Sequence, residues 1–155
     1  MPPELFPKAD ECNCLAVRQA ARHITQFYDQ FLAPSGLRTT QFSILAKLRR
    51  LGPLTINALA DELVMDRTTL GRNILPLERE GLIDIVPGKR DRRSKELQLS
   101  DGGAARLRSA VKGWAEAQAQ FETVFGAKRT RELRGLLHTV AATELDAAEH
   151  VSSAG

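Results

Sequence analysis

Residues 86–103, VPGKRDRRSKELQLSDGG, restrict the possible folds of this chain more than any other stretch. Between Lys89 and Lys95 lie five cations and one anion, namely Lys89, Arg90, Arg92, Arg93 and Lys95 against Asp91. Ile83 and Ile85 precede that charge and Leu97 and Leu99 follow it, each pair with the period-two spacing of a strand. Pro87-Gly88 supplies the first bend. These residues predict a β-hairpin with a cationic tip, and a tip of that kind suits a polyanion. Three short helical patterns lie immediately upstream, and the last carries arginines on its free face. Helices followed by a basic hairpin predict a winged helix-turn-helix and make DNA the expected partner.

Composition narrows the alternatives. At 155 residues and 43% apolar content the chain is long enough for one domain with a real core. No apolar run approaches the roughly 20 residues that span a bilayer, so no membrane association is expected. The opening MPPELFPKADECN has neither a basic n-region nor an apolar h-region. The two cysteines, two positions apart, cannot staple a fold. Both facts point to the cytoplasm. Residues 38–95 hold 12 cations and 7 anions, whereas the remainder holds 10 and 12, so the positive charge is concentrated in the central module.

The rest of the chain reads as helix. A first helix over about 13–33 carries Val17, Ala20, Ile24, Phe27 and Phe31 at alternating spacings of three and four, and Pro34-Ser35-Gly36 ends it. Thr39 or Thr40 is expected to cap a second, with Phe42, Leu45 and Leu48 inward, ending at Gly52-Pro53. Thr55 caps a third, burying Ile56, Leu59, Ala60 and Leu63. Asp66 caps a fourth that Gly81 ends, with Pro76 in its last turn. After the hairpin, Ser100 starts a long helix with Leu107, Val111, Trp114, Phe121 and Phe125 on one stripe. Gly126 and Lys128 mark a break, and Thr130 opens a last helix with Leu133, Leu137, Val140 and Leu145 before the tail HVSSAG. The expected order is α-α-α-α-β-β-α-α. Terminal helices of about 20 residues, roughly 30 Å at 1.5 Å rise, exceed what a small module needs; covering the module as a monomeric bundle is the plain reading, and pairing with their equivalents in a homodimer is the preferred one.

In the fourth helix, Leu70, Ile74 and Leu77 fall on one side. The opposite side centres on Thr68 and Arg72, with Thr69, Gly71 and Leu75 nearby and Arg67 and Asn73 flanking. Arginine pairs with guanine edges, asparagine with adenine, and threonine with bases or phosphates. DNA-contacting candidates are therefore Arg67, Thr68, Thr69, Arg72, Asn73, Lys89, Arg90 and Arg93. A solvated amphipathic helix with ordinary charges is the plain alternative, and the adjoining basic hairpin argues against it.

The run LTINALADELVMDRTTLGRNILPLEREGLI, the wing Asp91-Arg92-Arg93 and the junction LQLSDGG together resemble the multiple antibiotic resistance regulator (MarR) family over nearly the whole chain. The resemblance implies a single domain over 1–155. Its winged helix-turn-helix module spans 38–100, and dimerisation helices span 11–33 and 101–150. It further implies a homodimeric transcription regulator, most often a repressor released from a pseudo-palindromic operator by a small molecule or oxidant. By that resemblance Arg93 enters the minor groove and Asp91 orients its guanidinium. A narrow A/T-rich groove favours an inserted arginine electrostatically.

In the family's peroxide-sensing branch a reactive cysteine begins the first helix, and Cys14 falls in its register. Tyr28 matches a tyrosine of that branch, while Arg18 stands where the branch has another. Cys14, with Cys12 beside it, is thus a redox candidate, a thiol near a helix N-terminus with Arg18 one turn later. Equally, Cys14 reads as a small apolar residue at a dimer interface. An aromatic or acyl effector is the preferred signal, with His23, Phe27, Tyr28 and Phe42 as candidate pocket residues that would serve equally as core. His23, His138 and His150 are isolated, and no metal site or cofactor is expected. No Ser-His-Asp set, phosphate loop or dinucleotide fingerprint appears, so an enzyme is not expected. A winged-helix protein-interaction module would share the fold without binding DNA.

Overall fold

The computed structural model describes residues 8–146, which form six α-helices and a three-stranded antiparallel sheet. A short 3-10 turn at Ala9–Glu11 leads into α1 (Asn13–Leu32), and a second at Ala33–Ser35 leads out of it. There follow α2 (Thr39–Leu51), β1 (Leu54–Thr55), α3 (Ile56–Leu63), α4 (Arg67–Arg79), β2 (Ile83–Pro87), β3 (Lys95–Leu99), α5 (Asp101–Phe125) and α6 (Ala127–Ala142). The fold is the mainly helical winged helix-turn-helix that the sequence predicts. The described residues divide into two compact units, one ending at Gln118 and the other beginning at Ala119.

In the first unit the core lies among α2, α3, α4 and the sheet, where Ile44, Leu45, Leu48, Leu59, Leu70, Leu77 and Ile83 are fully buried. The spacing that puts Leu70, Ile74 and Leu77 on one face of α4 also fixes its axial rotation, because all three are buried. Each such burial contributes about 1.5–3 kcal/mol. Together they outweigh the roughly 3 kcal/mol that a helix-interior proline costs, so α4 continues past Pro76 to Arg79.

The sheet runs β1-β3-β2, with Ile83 opposite Leu99 and Ile85 opposite Leu97. Strand β1 is absent from the expected order. Its two residues pair Leu54 with Leu97 and Thr55 with Glu96, and a two-residue strand carries no periodic signal.

Helix starts follow side-chain chemistry, with two corrections. Thr55 Oγ1 accepts the Ala58 amide at 3.2 Å, as expected. Helix α2, however, is capped by Arg38 rather than Thr39 or Thr40. Gln41 accepts the Arg38 amide at 3.0 Å, and Asp29 of α1 accepts both the amide and the hydroxyl of Thr39 at 2.7 Å. A carboxylate from a neighbouring helix therefore does the work assigned to a local threonine. At the start of α5, Ser100 Oγ accepts the Gly103 amide at 2.9 Å and donates to the Gly81 carbonyl at 2.6 Å. A Cβ on Gly103 would overlap the Leu82 carbonyl, which explains a glycine in the SDGG junction.

In the second unit, Gly126 has φ of 102° and α6 begins at Ala127, three positions earlier than Thr130. Thr130 lies inside the first turn, its hydroxyl donating to the Gly126 carbonyl at 2.7 Å. Phe121 and Phe125 stack at 5.4 Å, and the Arg129 guanidinium lies 4.3 Å over the Phe125 ring. Helix α6 ends at Ala142, short of the expected boundary near residue 150. His150 and the tail HVSSAG lie outside the described residues. Among the described residues no helix is long and apolar enough to cross a membrane.

Candidate nucleic-acid interface

Helix α4 is anchored at its first turn by Asp66. One carboxylate oxygen accepts the Thr69 amide at 2.9 Å and the other accepts the Thr69 hydroxyl in a short bond. The Thr69 hydroxyl, then its amide, with lesser help from the Thr68 amide and Arg72, holds the Asp66 carboxyl below its ordinary value of 3.8. Thr69 therefore positions the helix as well as lying on its exposed side. Thr68, Arg67 and Arg72 are exposed, and neither arginine forms an ion pair among the described residues. Asn73 departs from the expectation of a free base-reading side chain. It is half-buried, and its amide nitrogen donates to the Thr69 carbonyl at 2.9 Å along its own helix.

Gly71 stands mid-helix, where glycine costs about 0.5–1 kcal/mol relative to alanine. Beyond its own helix backbone, a Cβ there would meet no atom within 4 Å. The chain does not need a glycine here for packing.

The wing tip is built by backbone closure and one carboxylate. The Gly88 amide donates to the Ser94 carbonyl at 2.9 Å, and the Ser94 amide and hydroxyl donate to the Asp91 carbonyl at 3.1 and 2.7 Å. A Cβ on Gly88 would sit 2.6 Å from the Asp91 carbonyl oxygen, so the Pro-Gly bend is sterically required. Asp91 Oδ1 accepts the Arg93 backbone amide at 2.9 Å. The expected ion pair between Asp91 and the Arg93 guanidinium is not formed. Within the free chain Asp91 shapes the turn and leaves the arginine head free. Lys89, Arg90, Arg92 and Arg93 are all exposed.

Two grooves flank this tip. One, of about 590 Å³, lies between α4 and the wing and includes Arg67, Gly71, Leu75, Ile85, Arg93 and Lys95 in its lining. The other, of about 370 Å³, is bounded by Pro53, Thr55, Lys89, Arg90, Asp91, Ser94 and Glu96. Leu75 and Ile85 were not among the expected contact residues; Leu75 is signalled by its place on the face of α4 opposite Leu70, Ile74 and Leu77, whereas Ile85 shares a strand face with the buried Ile83 and has no such signal.

The signal candidates sit elsewhere. Cys12, not Cys14, is the N-cap of α1, its sulfur accepting the Leu15 amide at 3.4 Å. Cys14 lies within the first turn, and both thiols are free and exposed. His23 is exposed, Phe27 and Tyr28 are half-buried, and Phe42 is buried. Phe42 stacks on Trp114 at 6.1 Å, and the Tyr28 hydroxyl donates to Gln118 in a short bond. Phe27 meets Tyr28 and Phe31 edge-on at 5.8 and 5.1 Å. These four candidates do not line either groove, and Trp114 and Gln118 are partners that spacing within one helix does not reveal. Among the described residues no group of three or more His, Cys, Asp or Glu side chains is placed to hold a metal ion.

Comparison with known proteins agrees with this geometry. The MarR family profile matches residues 37–95. Over 120 residues the chain is 31% identical to the HTH-type transcriptional regulator PecS of Dickeya dadantii, covering 76% of this chain and 72% of that one. Its structure is similar to the M. tuberculosis transcriptional regulator MosR at 36% identity and a TM-score of 0.74, over 88% of this chain and 100% of that one. A second MosR structure, in complex with DNA, matches at 37% identity and a TM-score of 0.74, over 87% and 100% of the two chains.

Proposed function

The chain belongs to the MarR family of DNA-binding transcription regulators, and from that premise we propose that it acts in the cytoplasm as a homodimeric repressor with no catalytic step. Its operator is a pseudo-palindrome read by α4 in the major groove and by the wing in the adjacent minor groove. The observation that carries this reading is that Arg67 of α4 and Arg93 and Lys95 of the wing border one groove, which gathers unpaired cations from both elements. Arg72 and Thr68 supply base contacts; Lys89 and Arg90 hold phosphates. Two half-sites about one helical turn apart call for two copies. Val17 of α1 is 48% exposed and Leu136 and Val140 of α6 are 67% and 52% exposed, apolar surface that a second copy would cover. Selection of bound fragments from the organism's genomic DNA, with sedimentation of the complex, tests both points. Selected sites without inverted half-sites, or one chain per site, would refute the dimeric operator.

For the signal, the half-buried aromatic edge of Phe27 and Tyr28 supports release by a small aromatic or acyl molecule. The exposed thiols of Cys12 at the N-cap and Cys14 in the first turn of α1 favour a second reading, release by oxidation. The Cys12→Ser, Cys14→Ser double variant separates them. Peroxide release retained in that variant removes the redox reading, while release by peroxide alone, lost in the variant, removes the ligand reading.

A further inference from the structure

We propose that Gly71 of α4 is the point at which the operator's sugar–phosphate strand, in passing between α4 and the wing, comes closest to the protein backbone. This rests on the DNA-binding reading above. A recognition helix in the major groove and a wing in the adjacent minor groove lie on either side of a single strand, because that strand is what separates the two grooves of a duplex. The strand must pass between the two elements. The observed groove lies there and has a volume of about 590 Å³.

Its walls match such an occupant. Arg67 stands on the α4 side, and Arg93 and Lys95 on the wing side, so phosphates meet cations from both directions; Glu78 is the acidic residue at the groove. Leu75 and Ile85, 50% and 40% exposed, offer apolar surface to the carbon faces of the deoxyriboses. Arg67, Gly71 and Leu75 are four residues apart and form one ridge of the helix. In the middle of that ridge, a side chain on Gly71 would project into open space rather than into the chain. A glycine unfavourable for the helix and unnecessary for the core is explained by an external body that needs the space.

The test compares Gly71→Ala with the unaltered protein in thermal unfolding and in titrations of two duplexes, the selected operator and an unrelated sequence. The variant is expected to unfold about 2–4 °C higher, since alanine favours the helix. It should bind both duplexes more weakly, by a similar factor of roughly 5- to 150-fold, the range for one methyl group forced into a close contact. Equal affinity of variant and unaltered protein would overturn the close approach at Gly71 while leaving DNA binding intact. A loss confined to the operator would overturn it as well, placing Gly71 against base edges instead. Failure of the unaltered protein to bind either duplex would overturn both this inference and the function on which it rests.

Discussion

Replacing Lys89 by alanine measures two properties at once, the electrostatic grip of the wing and the number of chains on the DNA. Lys89 is exposed at the base of the wing turn and forms no ion pair among the described residues. The same is true of Arg67, Arg72, Arg90, Arg92, Arg93 and Lys95, so all seven cations are available to phosphates. If about half of them make contact in each of two copies, roughly seven phosphates are neutralised. The log–log dependence of affinity on salt then has a slope near −6, at about −0.9 per contact. Lys89→Ala removes one contact per chain. A dimer should lose about 1.8 from the slope and a single chain about 0.9. Between 50 and 200 mM salt the handicap of the variant therefore shrinks by about twelvefold for a dimer and about 3.5-fold for a monomer. Fluorescence anisotropy of a labelled operator duplex at four or five salt concentrations resolves these values. An unchanged slope in the variant would show that Lys89 does not touch phosphate, and a nearly flat slope in the unaltered protein would refute the electrostatic argument as a whole.

Arg72→Ala should weaken the best operator by roughly 1–3 kcal/mol and relax preference at one position per half-site, measured by competition among single-base variants; unchanged preference would remove the base-reading role. Because the folded Asp66 carboxyl lies below its ordinary value of 3.8, its contribution is complete above that pH and fades as pH falls through the lower folded value. The melting temperature of Asp66→Ala should thus lie below that of the unaltered protein at pH 7, with the gap narrowing as the pH falls below 3.8. A gap that persists undiminished at the acid end would show that the Thr69 bonds to Asp66 are not what stabilises the first turn of α4. Gly103→Ala, which drives a methyl group into the Leu82 carbonyl, should cost roughly 1–3 kcal/mol in denaturant unfolding, and a neutral result would contradict the close packing of α5 on the α4–β2 turn.

The recognition helix and wing were legible because their signals are local. Leucine spacing fixes the buried face of α4, and a Pro-Gly bend beside clustered cations fixes the hairpin. What the sequence concealed depends on choices made by single side chains in three dimensions. Asn73 bonds to its own helix, and Asp91 bonds to the Arg93 amide rather than to its guanidinium. In both places the residue types permit either partner, and only the geometry of the turn selects one. The cap of α2 is concealed for a different reason, since Asp29 is ten positions from Thr39 and no capping pattern spans two helices.

Periodicity identifies which face of a helix is apolar and is silent about what covers it. The stripe of α4 and the stripe of α1 look alike in sequence, yet Leu70 is fully buried and Val17 is 48% exposed. The same silence extends to the proposed effector residues, because Phe42 at helical spacing reads identically whether it borders a cavity or, as here, packs against Trp114. Charge is more forthcoming, since a cation left without an acidic partner keeps its solvation and remains available to a polyanion. For this reason the cationic surface of α4 and the wing was readable before the fold, whereas what covers the exposed apolar stripes of the other helices is not.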